Sequence, residues 1–96
     1  MHKPPSIEVQ RNLLIVRQDK QQLCLHISRE QNNTAEQLVC HFEQNQHDVH
    51  AAVTAPEGDV QQLAHRAVSY VSAYLRIEDR SQIEQQLLKA IDGSGR

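Results

Sequence analysis

Val49-His50-Ala51-Ala52-Val53-Thr54-Ala55-Pro56-Glu57-Gly58-Asp59-Val60-Gln61-Gln62-Leu63-Ala64 is the stretch that decides the fold, because the spacing of apolar residues changes inside it. Val49, Ala51 and Val53 alternate with polar residues, the period of a strand with one buried face. Beyond Asp59 the apolar residues are Val60, Leu63, Ala64, Ala67, Val68, Val71 and Leu75, one continuous stripe at helical spacing. Pro56 and Gly58 mark the break between the two periods. A sheet followed by helices is therefore expected.

Downstream, Asp59 can cap the long helix, with Gln62 three residues on. Ser81-Gln82-Ile83-Glu84 reads as a second capping box, followed by Ile83, Leu87, Leu88 and Ile91 at helical spacing. Gly93 is placed to stop that shorter helix. Residues 93–96 are then expected to be a disordered tail.

Upstream, residues 1–6 carry Pro4 and Pro5, which remove backbone donors, and read as a flexible tail. Residues 7–17 read as one strand. Ile7 and Val9 share a face, but Leu13-Leu14-Ile15-Val16 is apolar throughout, and a bulge near Arg11-Asn12 accounts for the change of phase. Asp19-Lys20 suits a tight turn. Residues 22–28 alternate cleanly, with Leu23, Leu25 and Ile27 on one face and Cys24, His26 and Ser28 on the other.

Residues 29–36 read as a polar connection. Residues 37–43 fit two periods: Leu38, Cys40 and Phe42 alternate, while Ala35, Leu38, Val39 and Phe42 fall at helical spacing. The strand is preferred because Val39, Cys40, His41 and Phe42 are mediocre helix formers in succession; a helix is the fallback. Asn45-Gln46 then turns into a strand over 47–54. The expected fold is α+β: a four-stranded antiparallel meander, a long amphipathic helix packed on one face, and a shorter C-terminal helix, all within one domain over residues 7–92.

Composition sets bounds on function. The chain has 96 residues, a formal charge of −2, 39% hydrophobic and 3% aromatic residues. One domain with a core of medium aliphatic side chains is what such a chain can build. A near-neutral chain with scattered Lys and Arg generates no strong field for a nucleic-acid backbone. Cys24 and Cys40 form no Cys-x-x-Cys pair, so reduced thiols and a cytoplasmic location are expected. Neither a signal sequence nor an apolar run of membrane-spanning length is visible, so no membrane partner is expected. The thirteen glutamines are spread over different elements and read as an uncharged polar surface.

Antiparallel pairing with two-residue turns fixes cross-strand neighbours. Leu14 should face Leu25, and Val16 should face Leu23. Phe42 should face Val49, Cys40 should face Ala51, and Leu38 should face Val53. The opposite sheet face then carries Leu13, Ile15, Cys24, His26, Val39, His41, His50 and Ala52, more apolar than a solvated face should be. Something is expected to cover it: a second copy, another protein, or the terminal helix, which could instead grip a partner.

The expectation is a non-enzymatic interaction module, an adaptor, inhibitor or regulatory subunit acting as a homodimer. Its contact residues would be Leu13, Ile15, His26, Val39, His41, His50, Tyr70 and Tyr74. Nucleic-acid binding through the sheet is the first alternative, disfavoured because Phe42, the aromatic residue of the predicted strands, falls on the helix side. Cys24, His41 and His50 are the second, as nitrogen and sulfur ligands suited to zinc, although no short ligand pair supports them. No cofactor is expected. A paired His41 and His50 would also make an interface sensitive to pH. Glu43 and Asp48 should meet beside the hairpin turn, in a solvated setting that gives no reason for acid–base chemistry. Ser69, Ser72 and Ser81 lack a nucleophile-elbow context.

Overall fold

The computed structural model describes residues 5–31, 35–75, 77 and 79–94. Its elements run β1 (Ser6–Gln10), β2 (Leu13–Gln18), β3 (Gln21–Gln31), β4 (Glu36–Gln44), β5 (His47–Pro56), α1 (Val60–Tyr74) and α2 (Arg80–Ser94). The strands form one antiparallel sheet in chain order. Strands and helices are thus segregated along the chain, an α+β arrangement.

Among the described residues there are five strands rather than four. Residues 7–17 hold a turn at Arg11-Asn12, not a bulge, so the change of apolar phase is a reversal of chain direction. Asn12 adopts φ 65°, a left-handed conformation that Asn tolerates better than most residues. Its carbonyl accepts a hydrogen bond from the Ile27 N–H at 2.9 Å, which ties the turn to β3. The hairpin sets Ile7 opposite Val16 and Val9 opposite Leu14.

The other turns fall where the sequence places them. Asp19 takes φ 56°, and β2 and β3 pair with Leu14 opposite Leu25 and Val16 opposite Leu23, as expected. Asn45 and Gln46 both have positive φ, 51° and 70°, as a type I′ hairpin requires. The Asn45 side chain accepts from the Gln22 N–H at 2.8 Å, and the Asn45 N–H donates to the Gln22 carbonyl at 2.8 Å. Residues 37–43 are strand, within β4.

The β4–β5 register departs from expectation. Glu43 faces Asp48, yet His41 faces Ala52, Cys40 faces Val53 and Leu38 faces Ala55. Three residues of β5 therefore stand against Phe42 alone. His50 absorbs the excess at φ 53°, with its N–H bonded to the Asp48 carboxylate at 2.7 Å. An excess of two keeps the inward and outward parity of the strand.

Asp59 caps α1 as predicted, accepting from the Gln62 N–H at 3.0 Å. In α2 the cap is Asp79, which accepts from the Gln82 N–H at 3.3 Å, and not Ser81. The second helix is not the shorter one: both have 15 residues, and α2 continues through Gly93 to Ser94. The rest of the predicted tails, 1–4 and 95–96, lies outside the described residues, and Ser6 already belongs to β1.

Both helices lie on the same sheet face. α1 packs on β4 and β5, and α2 packs on β1, β2 and α1. Five strands at about 4.8 Å spacing span about 19 Å, wide enough for two helices about 8–10 Å apart. The core between the layers takes Leu14, Leu23, Leu25, Leu38 and Phe42 from the sheet, Leu63, Ala67 and Val71 from α1, and Ile83, Leu87 and Ile91 from α2, all nearly inaccessible. Each fully buried aliphatic side chain contributes about 1.5–3 kcal/mol. The terminal helix is thus part of its own core; it neither covers the second sheet face nor projects as an arm.

Candidate interaction face

With α1 and α2 on one side, the other face of the sheet carries no helix among the described residues. Its residues stand in rows across the strands. Glu8, Ile15, Cys24, Glu43 and Asp48 form one row, and Gln10, Leu13, His26, His41 and Ala52 the next. Ser28, Val39 and Thr54 form a third. Directly opposed residues on one face of an antiparallel pair have Cβ atoms about 4.5–5.5 Å apart.

The centre of this face is a histidine pair, but not the one expected. His41 faces His26 on β3 and Ala52 on β5. The bulge carries His50 out of that row; it sits beside Asp48 and is 88% exposed. His41 Nε2 lies 3.2 Å from Glu30 Oε2, and the Ser28 hydroxyl donates to the same oxygen at 3.5 Å.

The apolar residues of this face are less available than their number suggests. Ile15, Cys24 and Val39 are 8%, 6% and 4% exposed, and Leu13 is half-buried. Long polar neighbours lie beside Cys24 and Ile15. The Gln22 amide reaches Cys24 Sγ at 3.5 Å, Arg17 Nε donates to Gln22 Oε1 at 3.1 Å, and an Arg17 Nη1 stands 3.6 Å from Glu8 Oε1. Gln10 also donates to Glu8. Exposed groups here are polar or small: His26, Ser28, His41 and Ala52.

Among the described residues the helix-free face carries an excess of carboxylates, whereas acids such as Glu36, Glu57, Asp59, Asp79 and Glu84 are matched by cations on the helices and in the turns. Glu8, Glu30, Glu43 and Asp48 hold register positions on the helix-free face, and Glu43 and Asp48 do meet beside the turn. Among the described residues, Arg17 is the one basic side chain at such a position. Arg66, Arg80 and Lys89 ride on the helices, Arg11 and Lys20 lie in turns, and Arg29 shares the register position of buried Leu38.

The remaining candidates do not join this face. Tyr70 stacks on Phe42 with ring centroids 3.8 Å apart, and its hydroxyl donates to the Tyr74 hydroxyl at 3.2 Å. Both tyrosines belong to the helix layer, where burial first and the Tyr74 hydrogen bond second push the Tyr70 phenol up to about 12. Cys24 faces Glu43 rather than a histidine, and His50 is in the bulge, so Cys24, His41 and His50 do not converge. Among the described residues no group of three or more His, Cys, Asp and Glu is placed to hold a metal ion. Burial pushes the Cys40 thiol up to about 12, on the core side of the sheet.

One cluster escapes sequence reasoning because its members are far apart in the chain. Arg29 Nε meets Glu57 Oε1 at 3.1 Å. Glu36 hydrogen-bonds Glu57, and that bond, followed by the repulsion between the two carboxylates, raises the Glu36 pKa. The group lies on the helix side, at one end of β3 and β4.

No helix among the described residues is long and apolar enough to cross a membrane. The chain matches no protein-family model, no curated protein and no solved structure.

Proposed function

We propose that this chain is a small cytosolic protein-interaction module, an adaptor, inhibitor or regulatory subunit, that docks its partner on the helix-free sheet face. The observation that carries the reading is the seating of both helices on one side, which leaves the rows through His26 and His41 as a broad polar platform on the other. Antiparallel sheets are often solvated on one face, so the mixed composition of this one supports the reading more than its exposure does. A binding role is favoured over catalysis. The Ser69 and Ser72 hydroxyls are engaged with backbone carbonyls of His65 and Val68, at 3.1 and 2.9 Å, and Cys40 is held as a thiol. Cys24 and Cys40 stand on opposite faces of the sheet, in keeping with reduced thiols in a cytosolic protein.

Nucleic-acid binding by this face is disfavoured by its carboxylates and by the position of Phe42, Tyr70 and Tyr74 in the other layer. The test is a pair of double variants. Ser28→Arg with Ala52→Arg alters exposed positions on the helix-free face, and Gln61→Arg with Gln85→Arg alters exposed helix positions. Sedimentation and partner recovery should change in the first variant alone, with both retaining the native circular dichroism spectrum. Loss of association in the second variant alone would overturn the assignment.

A further inference from the structure

Resting on that reading, we infer that the occupant of the helix-free face is a cationic polypeptide segment of a different chain, carrying several Lys or Arg residues. The face presents Glu8 at its β1 edge, Glu43 and Asp48 at the β4–β5 edge, and Glu30 beside the histidines. Against these four carboxylates stands Arg17. The side chains of Glu8, Glu30 and Asp48 are 45%, 52% and 68% exposed, so their charges are available to a partner. Arg66, Arg80 and Lys89 belong to the helix layer on the other side of the sheet. A formal charge of −2 for the whole chain thus conceals a face more acidic than its other side.

The same arrangement argues against a second copy as the occupant. An isologous contact sets a surface against itself. A two-fold axis running along the strands would bring the Glu8 edge onto the Glu43–Asp48 edge, acid against acid. Ile15, Cys24 and Val39 retain at most 8% exposure, so little apolar area remains to offset that repulsion. Complementary charge on a different chain meets the face without the penalty, and fixes orientation and encounter rate.

A histidine pair stands among these carboxylates. His26 is neighboured by Leu13 on β2, by Cys24, Ser28 and Glu30 on its own strand, and by His41 and Glu43 on β4. His41 is neighboured by Val39 and Glu43 on its strand, by Glu30 on β3, and by Ala52 on β5. Beyond them stand Glu8 and Arg17 on one side, Asp48 and His50 on the other. Protonating both imidazoles takes the formal balance of Glu8, Glu30, Glu43, Asp48 and Arg17 from −3 to −1. The doubly protonated pair would therefore hold a cation more weakly than the neutral pair.

The test uses the full chain and a fluorescein-labelled 15-residue peptide of lysine and leucine at helical spacing, with a second peptide in which glutamate replaces lysine. Anisotropy titrations compare wild type with Glu8→Gln/Glu30→Gln/Glu43→Gln and with Glu36→Gln/Glu57→Gln/Glu84→Gln, which makes the same charge change elsewhere. An exposed ion pair is worth a factor of about 1.4–5, so the first variant should bind the lysine peptide about 3–100-fold more weakly. The second should stay within about twofold, and amide shifts should map the peptide to Ser28, His41 and Ala52. Equal weakening in both variants, or no binding of the lysine peptide, would overturn the inference. Mapping of the glutamate peptide to those three residues would overturn it while leaving the face as a docking surface. So would a dimer dissolved by Ser28→Arg with Ala52→Arg. Shifts confined to α1 and α2 would overturn both.

Discussion

The two cysteines sit on opposite faces of one sheet and can report on those faces separately. Cys40 is fully buried between the sheet and the helices, and burial lifts its thiol from 9.0 to about 12. Alkylation requires the thiolate. Three pH units reduce the native thiolate population about a thousandfold at pH 8. The other route, global unfolding, is open to about one molecule in 5,000 or fewer at a stability of about 5 kcal/mol or more. Cys24 is 6% exposed beneath the Gln22 amide on the helix-free face. Rotation of that half-buried surface side chain is fast, and the local opening it requires should slow labelling by no more than about 100-fold.

Iodoacetamide labelling at pH 8, followed by mass spectrometry with Cys24→Ser and Cys40→Ala for assignment, should therefore find Cys24 modified at least about tenfold faster than Cys40. Rates within threefold of each other, or a faster Cys40, would refute the assignment of faces.

Stability should also fall from about pH 9 to 12. The Cys40 thiol and the Tyr70 phenol both hold their protons to about 12 in the native state, above the ordinary 9.0 and 10.0. The unfolded chain releases them first, so the native state binds more protons and loses up to about 1.4 kcal/mol per pH unit for Cys40, with Tyr70 adding in the same direction; a urea midpoint that holds steady across this range would contradict it. Phe42→Ala should cost about 3–5 kcal/mol. A double-mutant cycle of conservative changes, Phe42→Leu with Tyr70→Leu, should give a coupling of about 0.5–1.5 kcal/mol from the stacked rings, and a coupling below about 0.3 kcal/mol by denaturant titration would count against the stack. Asp79→Ala should cost about 1 kcal/mol as the loss of a helix cap, while Ser81→Ala stays within about 0.5 kcal/mol; the reverse order would restore Ser81 as the cap.

Much of the fold is legible from local pattern. The change of period after Val53, the turns at Asp19 and Asn45, and the pairing of Leu14 with Leu25 all follow from spacing alone. Three features do not. The turn at Arg11-Asn12 contains no glycine or proline, and its signature, a change of apolar phase, is the same as that of a bulge. The excess in β5 is two residues, so Val49, Ala51 and Val53 keep their alternation and the shift of register leaves no periodic trace. The seat of α2 depends on sheet width. A sheet counted at four strands leaves little room for a second helix on the same face, whereas the fifth strand provides it.

The candidate site was legible as a set more than as a geometry. Leu13, Ile15, His26, Val39 and His41 do share the helix-free face. Their partners were misread because the histidine pairing depends on the β4–β5 register. The burial of Ile15 and Cys24 was also hidden: alternation records which residues face outward, not how far Arg17 and Gln22 can lie across them.

The most direct measurement replaces Ala52 or Gln61, one at a time, with a photo-cross-linking amino acid in cells that make the full chain. Ala52 is exposed on the helix-free face and Gln61 is exposed on α1. Docking on the helix-free face predicts a discrete cross-linked adduct from position 52 and none from position 61. An adduct from position 61 alone would contradict it.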